Sequence, residues 1–154
     1  MDLKKDHHLS IRVYYEDTDA EGIVYHSKYL NFAERARTEF LRSYNLDQST
    51  IEKKYGLIFV VKLINIDYVS IACLDDYLCV KTRISKLNKA KMIFSQLIYK
   101  SKILVAKLEV TVCCLDKNRK VARAIRPIDS IKYHGITVAK MTLDPFNLIF
   151  RFND

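Results

Sequence analysis

The order of hydrophobic and polar positions divides the chain into a short strand, one long helix and a run of strands. Residues 9–15 alternate between apolar and polar side chains, which predicts a strand. Its apolar side would be formed by Leu9, Ile11, Val13 and Tyr15. In residues 27–44 apolar side chains recur at spacings of three and four, which predicts one long amphipathic helix. Ala33 and Ala36 lie on its apolar face and would let the helix approach a sheet closely.

The second half of the chain favours strands. Residues 47–55 are compatible with a short second helix, after which Val, Ile, Leu and Tyr dominate four segments, 57–67, 77–87, 91–100 and 103–115. Residues 87–91 and 99–103 resemble hairpin turns. One strand, one long helix and four consecutive antiparallel strands predict an α+β fold, with the helix across the concave side of a sheet of about five strands.

Chain length and charge further limit the number of domains and the kinds of binding partner that we expect. A chain of 154 residues favours one domain, which we assign to residues 1–134, while residues 135–154 form a tail without a clear period and stay unassigned. The net charge is +8, from 26 basic and 18 acidic residues. Residues 77–108 contain eight basic side chains and no acidic one, which suits either phosphate binding or a lysine-rich face in solvent. The eight are Lys81, Arg83, Lys86, Lys89, Lys91, Lys100, Lys102 and Lys107.

Targeting signals and metal motifs are not apparent in the sequence. The charged N-terminal segment leads into no apolar run, and no stretch is long and apolar enough for a membrane span, so we expect a cytoplasmic protein. The cysteines form no CxxC and no zinc-site spacing, which predicts four buried, reduced thiols and no metal or cofactor. They are Cys73, Cys79, Cys113 and Cys114.

The segment "EDTDAEGIVYHSKY", residues 16–29, places four carboxylates directly before the long helix. The first amides of a helix lack internal partners and carry partial positive charge, so they can polarise a carbonyl oxygen. Ser27 would cap this helix start. A carboxylate a few residues upstream could act as a base or nucleophile on the same carbonyl carbon. The alternative is that the acids only favour the helix N-terminus electrostatically.

Residues 12–42, "RVYYEDTDAEGIVYHSKYLNFAERARTEFLR", resemble the N-terminal signature of hot-dog-fold acyl-CoA thioesterases of the 4-hydroxybenzoyl-CoA thioesterase superfamily. The Tol–Pal-associated bacterial group is the most similar. Its pattern of two aspartates one residue apart, two further residues, then Gly-[Ile/Val]-Val-Tyr-His is matched from Asp17 to His26. The resemblance continues more weakly to about residue 130.

This resemblance implies hydrolysis of an acyl-CoA to free acid and coenzyme A, with Asp19 as the nucleophile or general base. The backbone N–H at His26 would polarise the thioester carbonyl, and the His26 side chain would line the pocket. Asp17 is expected to have a structural role in the turn. The other histidines near the N-terminus, His7 and His8, are expected to be mobile and without function.

The resemblance also implies a substrate pocket at a subunit interface of a homodimer or homotetramer whose sheets join edge to edge. The pocket would include Tyr25, Gly22 and Val24. The phosphates of coenzyme A would be met by the basic hairpin formed by Lys86, Lys89 and Lys91. An acyl carrier protein is a possible further partner, whereas nucleic acid is not expected.

Three other functions agree less well with the sequence than acyl-CoA hydrolysis does. A hot-dog dehydratase would use a histidine and a carboxylate in different local motifs. A non-catalytic module that binds acyl-CoA or acyl carrier protein would share the fold. A basic nucleic-acid-binding domain would need contiguous aromatic side chains on its sheet, and the strand sequences do not supply such a set.

Overall fold

The structure, a computed structural model, describes residues 6–123. Five antiparallel strands form one sheet, and two helices lie between the first two strands in sequence. The strands are β1 (His7–Arg12), β2 (Ile58–Tyr68), β3 (Tyr77–Leu87), β4 (Lys91–Lys100) and β5 (Ile103–Leu115), in the sheet order β1-β3-β4-β5-β2. The helices are α1 (Lys28–Arg42) and α2 (Gln48–Tyr55). The predicted helix-on-sheet architecture is confirmed, while residues 124–134 of the predicted domain and the tail 135–154 lie outside the described residues.

Strands β3, β4 and β5 form the centre of the sheet, with the boundaries that their hydrophobic runs predict. Alternate side chains of β4 are fully buried, as expected for a strand with one face on a core. Phe94 on that face lies opposite Val110 of β5 and Ile84 of β3. The central strands therefore present a mainly apolar surface to the helix, with Thr82 and Gln96 as buried polar side chains within it.

Helix α1 covers this surface with its own apolar face. The Phe40 ring packs edge-on against Phe94, with centroids 5.9 Å apart. Ala33 and Ala36 are fully buried, and Gln96 Nε2 of β4 donates a hydrogen bond of 2.9 Å to the Ala33 carbonyl oxygen. So short a link between a strand side chain and the helix backbone requires the small residues that the sequence places there. Gln96 also accepts a 2.8 Å hydrogen bond from Arg37, whose pKa is lowered by burial.

The first strand is shorter than the alternation predicts. β1 ends at Arg12, and Tyr15–Asp17 form a single 3₁₀ turn. The prediction that Tyr15 belongs to the buried side is wrong, since its side chain is 81% exposed. His7 and His8 are part of β1, so the expectation that they are mobile is also wrong.

Ser27 precedes α1 but does not cap it, contrary to prediction. Its backbone is already helical (φ −72°, ψ −21°), and its side chain makes no capping hydrogen bond. An N-cap needs an extended backbone to turn its hydroxyl toward the next amides. Asp47 shows that geometry before α2, where its Oδ1 accepts a 2.8 Å hydrogen bond from the Thr50 amide.

The four cysteines form no disulfide in this structure, but only two of them are buried. Cys113 and Cys114 are almost inaccessible, and burial raises the pKa of the Cys114 thiol to about 11. Cys73 and Cys79 are partly exposed, which corrects the prediction for them. Cys73 precedes β3 in a loop, and Cys79 points away from α1, on the face opposite to the buried neighbours Leu78 and Val80.

Within residues 6–123, no helix is long and apolar enough to cross a membrane. The longer of the two helices, α1, has 15 residues and carries exposed charges on its outer face.

Candidate active site

The acidic segment folds into a small antiparallel hairpin ahead of α1. The Asp19 amide donates a 3.0 Å hydrogen bond to the Ile23 carbonyl, and the Tyr25 amide donates one of 2.9 Å to the Asp17 carbonyl. Gly22 lies at the tip with φ +75°, a left-handed conformation that a residue with a Cβ adopts only with strain. The hairpin therefore places the aspartates directly beside the residues that lead into the helix.

Asp17 holds this hairpin in place from inside. Its side chain is 2% exposed, and Oδ2 accepts a 3.0 Å hydrogen bond from the Tyr14 amide. Oδ1 lies 3.5 Å from the Lys28 ammonium in the first turn of α1. Both carboxylate oxygens thus have partners, as expected of a buried charge with a structural role.

Asp19 is placed differently. Its side chain is partly exposed, and Oδ1 accepts the Glu21 amide at 3.1 Å and, more weakly, the Ile23 amide at 3.4 Å. Among residues 6–123 no group donates a hydrogen bond to Oδ2. One oxygen fixes the side chain in the turn, and the other is left for a substrate or a water molecule.

The peptide groups before α1 present two unused donors. The Tyr25 carbonyl accepts a 2.8 Å hydrogen bond from the Lys28 amide, and the His26 carbonyl accepts one of 3.0 Å from the Tyr68 hydroxyl. The amides of His26 and Ser27, by contrast, donate to no residue in the described part of the chain. Oriented but unoccupied N–H groups are what polarisation of a carbonyl oxygen requires.

The remaining predicted pocket residues lie on the same hairpin. The rings of Tyr25 and His26 are in contact, with centroids 4.3 Å apart, and both side chains are exposed. Val24 is buried, and its amide donates a 2.8 Å hydrogen bond to the Ala72 carbonyl in the loop before β3. The structure therefore brings Asp19, Gly22, Val24, Tyr25 and His26 together, with Val24 as an anchor to the sheet rather than an open pocket wall.

An ion pair stabilises the loop on which the hairpin rests. Lys100 Nζ lies 2.8 Å from Asp76 Oδ2, which also accepts a 2.8 Å hydrogen bond from the Cys73 amide. Burial alone would raise the pKa of Asp76, but the Lys100 ammonium and the Cys73 amide lower it below the ordinary value. Asp76 is therefore a carboxylate engaged in structure.

The three predicted phosphate-binding lysines lie elsewhere. Lys86, Lys89 and Lys91, here called the lysine hairpin, are at the turn between β3 and β4, while the Asp19 segment adjoins the loop before β3. The ten residue steps of β3 between these two ends span about 33 Å. One chain thus does not bring the lysine hairpin to Asp19, and a contact with the same substrate would have to come from a second chain.

No cluster of three or more His, Cys, Asp or Glu side chains that could hold a metal ion occurs in residues 6–123. The side chains next to the helix start are instead the rings of Tyr25, His26 and Tyr68, with the Asp19 carboxylate in the turn that precedes them.

Comparison with known families decides the class of protein. A model of the thioesterase-like superfamily matches residues 13–138, a range that includes the whole hairpin, both helices and four of the five strands. The chain belongs to the thioesterase-like superfamily. This thioesterase is 48% identical over 106 residues to the acyl-CoA thioesterase YbgC of Haemophilus influenzae, an alignment that covers 69% of this chain and 78% of the relative.

Two further comparisons agree. The acyl-CoA thioester hydrolase YbgC of Escherichia coli is 40% identical over 116 residues, which cover 75% of this thioesterase and 86% of the relative. The crystal structure of a probable thioesterase from Bartonella henselae superposes with a TM-score of 0.73 at 34% identity, covering 77% of this chain and 98% of the other. The predicted family, hot-dog fold and hydrolase class are confirmed, which disfavours the non-catalytic and nucleic-acid-binding alternatives.

Sequence reasoning missed one residue of this site. Tyr68 ends β2 and lies 42 positions from His26, yet its hydroxyl holds the His26 carbonyl. The strand predicted from the sequence stops at residue 67, one position before Tyr68, and periodicity carries no information about a contact with the helix start. Only the sheet order, which places β2 at an edge, and the position of the helix start reveal the contact.

Proposed function

We propose that this thioesterase hydrolyses the thioester bond of acyl-CoA substrates, with Asp19 as the reacting carboxylate and the His26 and Ser27 amides as carbonyl donors. One observation carries the proposal: the hairpin holds a carboxylate with a free oxygen and two free, oriented N–H groups next to the same helix start. The family match and the curated names of the relatives support the substrate class.

A thioester suits so small a set of groups. Its carbonyl is more reactive than that of an amide, and a thiolate leaves readily. Hydrogen bonds from the two amides stabilise the negative charge that develops on the carbonyl oxygen. In one route Asp19 Oδ2 attacks the carbonyl carbon and expels the thiolate of coenzyme A, and water then cleaves the resulting anhydride to release the acid and restore the carboxylate. In the other route Asp19 takes a proton from a water molecule as that water attacks the carbonyl carbon and the thiolate leaves. Mass spectrometry of enzyme quenched during the first turnover distinguishes the two, since only the first route leaves an acyl group on Asp19.

A second copy of the chain completes the proposed assembly. β2 is an edge strand of 11 residues, and its outer side chains Val61 and Leu63 are about half exposed. Val69 and Ile71, in the loop that follows, are also exposed. Long apolar edges favour pairing with another strand. We therefore infer a homodimer or homotetramer in which β2 meets a neighbouring subunit, with the substrate bound at the interface.

Further partners belong to the same proposal and rest on the family resemblance. We propose that the lysine hairpin of a second chain binds the phosphates of coenzyme A. We also propose an acyl carrier protein as a partner. A cytoplasmic location, an association with the Tol–Pal system and catalysis without a metal or other cofactor complete it.

A thiol-release assay tests the function. The purified chain is incubated with a panel of aliphatic and aromatic acyl-CoA substrates, with and without EDTA. We expect release of free coenzyme A from at least one substrate, at a rate that EDTA does not change. Absence of turnover across the panel contradicts the proposed activity. Loss of activity in EDTA that zinc restores contradicts the metal-free mechanism.

A further inference from the structure

A single hydroxyl from the sheet edge contacts the helix start. Tyr68, the last residue of β2, donates its hydroxyl to the His26 carbonyl oxygen at 3.0 Å. Its ring packs against Tyr29 of α1, with centroids 5.6 Å apart and an angle of 64° between the planes. Tyr29 is buried in the core, where its ring also packs edge-on against Phe32, so Tyr68 lies against a ring that the core holds in place.

The direction of this hydrogen bond determines where the neighbouring amide points. In a planar trans peptide the carbonyl and the N–H point in opposite directions. Holding the His26 carbonyl on the Tyr68 side therefore turns the Ser27 N–H to the other side. The preceding peptide is held in the same manner, because the Lys28 amide binds the Tyr25 carbonyl at 2.8 Å and leaves the His26 N–H free.

These two peptide groups differ in what holds them. The Tyr25 carbonyl is bound by the backbone of the helix itself, which any sequence supplies. The His26 carbonyl is bound only by a side chain, 42 residues further along the chain. Without this hydroxyl, no described group would fix the peptide between His26 and Ser27 from its carbonyl side.

We infer that Tyr68 is a positioning residue for catalysis: its hydroxyl orients the His26–Ser27 peptide so that the Ser27 N–H faces the substrate carbonyl. This inference rests on the proposed function of the two amides. Tyr68 does not itself touch the reacting atoms. Its contribution is present in the bound substrate, where the aimed N–H polarises the carbonyl, and it is largest in the transition state, where negative charge develops on the carbonyl oxygen.

The test is Tyr68→Phe, which removes the hydroxyl and keeps the ring on Tyr29. We expect kcat to fall about 3- to 30-fold, less than the roughly 10²-fold typical for deleting an oxyanion donor outright, with KM for acyl-CoA unchanged. The melting temperature should stay close to that of the wild type. Tyr77→Phe is the matched control, since Tyr77 lies at the same end of the sheet, is exposed, and its hydroxyl donates to no described residue. It should leave both parameters unchanged.

A spectroscopic measurement distinguishes orientation of the Ser27 N–H by Tyr68 from a purely structural role of Tyr68. In an Asp19→Asn background, we expect bound acyl-CoA to be turned over at least about 10²-fold more slowly, so that the carbonyl stretching band of the thioester can be recorded. This band moves to lower wavenumber when amides polarise the carbonyl. Adding Tyr68→Phe should reverse part of this shift, whereas Tyr77→Phe should not. A purely structural Tyr68 would change stability and leave the band in place.

Each outcome has a defined meaning. Wild-type kcat in Tyr68→Phe, or an unchanged carbonyl band, overturns the inference, as does a raised KM with unchanged kcat. If the wild-type chain hydrolyses no acyl-CoA, or if Asp19→Asn retains full turnover, the proposed function itself has failed. A reduced kcat in Tyr68→Phe with unchanged KM and a smaller band shift supports the inference.

Discussion

Replacing Asp17 should destabilise the fold far more than replacing Asp19, although the two carboxylates are only two residues apart. Asp17 is 2% exposed and accepts the Tyr14 amide at 3.0 Å. A hydrogen bond to a charged group contributes about 1.5–3 kcal/mol. The 3.5 Å pair with Lys28, which is one-quarter exposed, adds about 0.5–1 kcal/mol. Asp17→Ala should therefore lower the free energy of unfolding by about 2–4 kcal/mol.

Replacement by Asn should also destabilise the fold more at position 17 than at position 19. In Asp17→Asn the side-chain oxygen can still accept from Tyr14, but the charge is lost, so we expect a cost of about 1–2 kcal/mol. In Asp19→Asn the side-chain oxygen still accepts from the Glu21 amide in a partly exposed turn, so the cost should stay below about 0.5 kcal/mol.

Urea unfolding followed by far-UV circular dichroism measures these differences. All variants must be compared at one protein concentration, because subunit association adds to apparent stability. A loss below about 0.5 kcal/mol in Asp17→Ala would refute the structural role of this carboxylate. Equal losses in Asp17→Asn and Asp19→Asn would refute the division of roles between the two.

Three further predictions concern the thiols, the second helix and the lysine hairpin. In the native protein a thiol reagent such as DTNB should modify the two partly exposed cysteines and spare the two buried ones, including Cys114, whose pKa is raised to about 11; rapid labelling of all four would contradict the burial. The pKa of Asp47 is lowered to about 2, first of all by the Thr50 amide, so its capping contribution should be complete above about pH 4 and vanish as the pH falls through 2. The stability difference between wild type and Asp47→Ala should therefore fall steeply between about pH 4 and about pH 2, and a difference that does not fall over this range would exclude the charged cap as its cause. Replacing the three side chains of the lysine hairpin by Ala should raise KM for acyl-CoA more than for an acyl-pantetheine thioester, which lacks the 3′-phosphate; equal effects would assign these lysines to a solvated face.

The central part of the fold could be predicted because its elements have a single hydrophobic period. β3 and β4 alternate between buried and more exposed side chains along most of their length, and α1 has apolar residues at spacings of three and four with alanines where it meets the sheet. For these segments the local pattern and the tertiary packing favour the same structure.

The end of β1 and the start of α1 were less predictable because side-chain contacts decide them. β1 stops before Tyr15, since the Asp17 carboxylate takes the Tyr14 amide and starts a turn in spite of the continuing alternation. Ser27 has the side chain of a cap but not the backbone conformation. Neither outcome is encoded in periodicity alone.

In the candidate site, too, residues that are contiguous in the sequence could be predicted, whereas contacts that depend on the tertiary structure could not. Asp19 and His26 were predicted because the motif is contiguous, and the hairpin brings its residues together. Tyr68 was not, because its contact with His26 depends on sheet order and on the position of α1. The lysine hairpin shows the converse: a local cluster of charge was correctly recognised, but its distance from Asp19 depends on the length of β3.

Turnover by Asp19→Asn, with Glu21→Gln as the control, tests the central claim most directly. Glu21 is an exposed acid in the same turn, so its neutralisation reproduces any general loss of negative charge before α1. We predict that Asp19→Asn keeps the fold and the assembly but loses at least about 10²-fold in kcat, while Glu21→Gln stays near the wild type. Near-wild-type turnover by a folded Asp19→Asn, or equal losses in both variants, would show that the carboxylates serve only the electrostatics of the helix start and would contradict the catalytic role of Asp19.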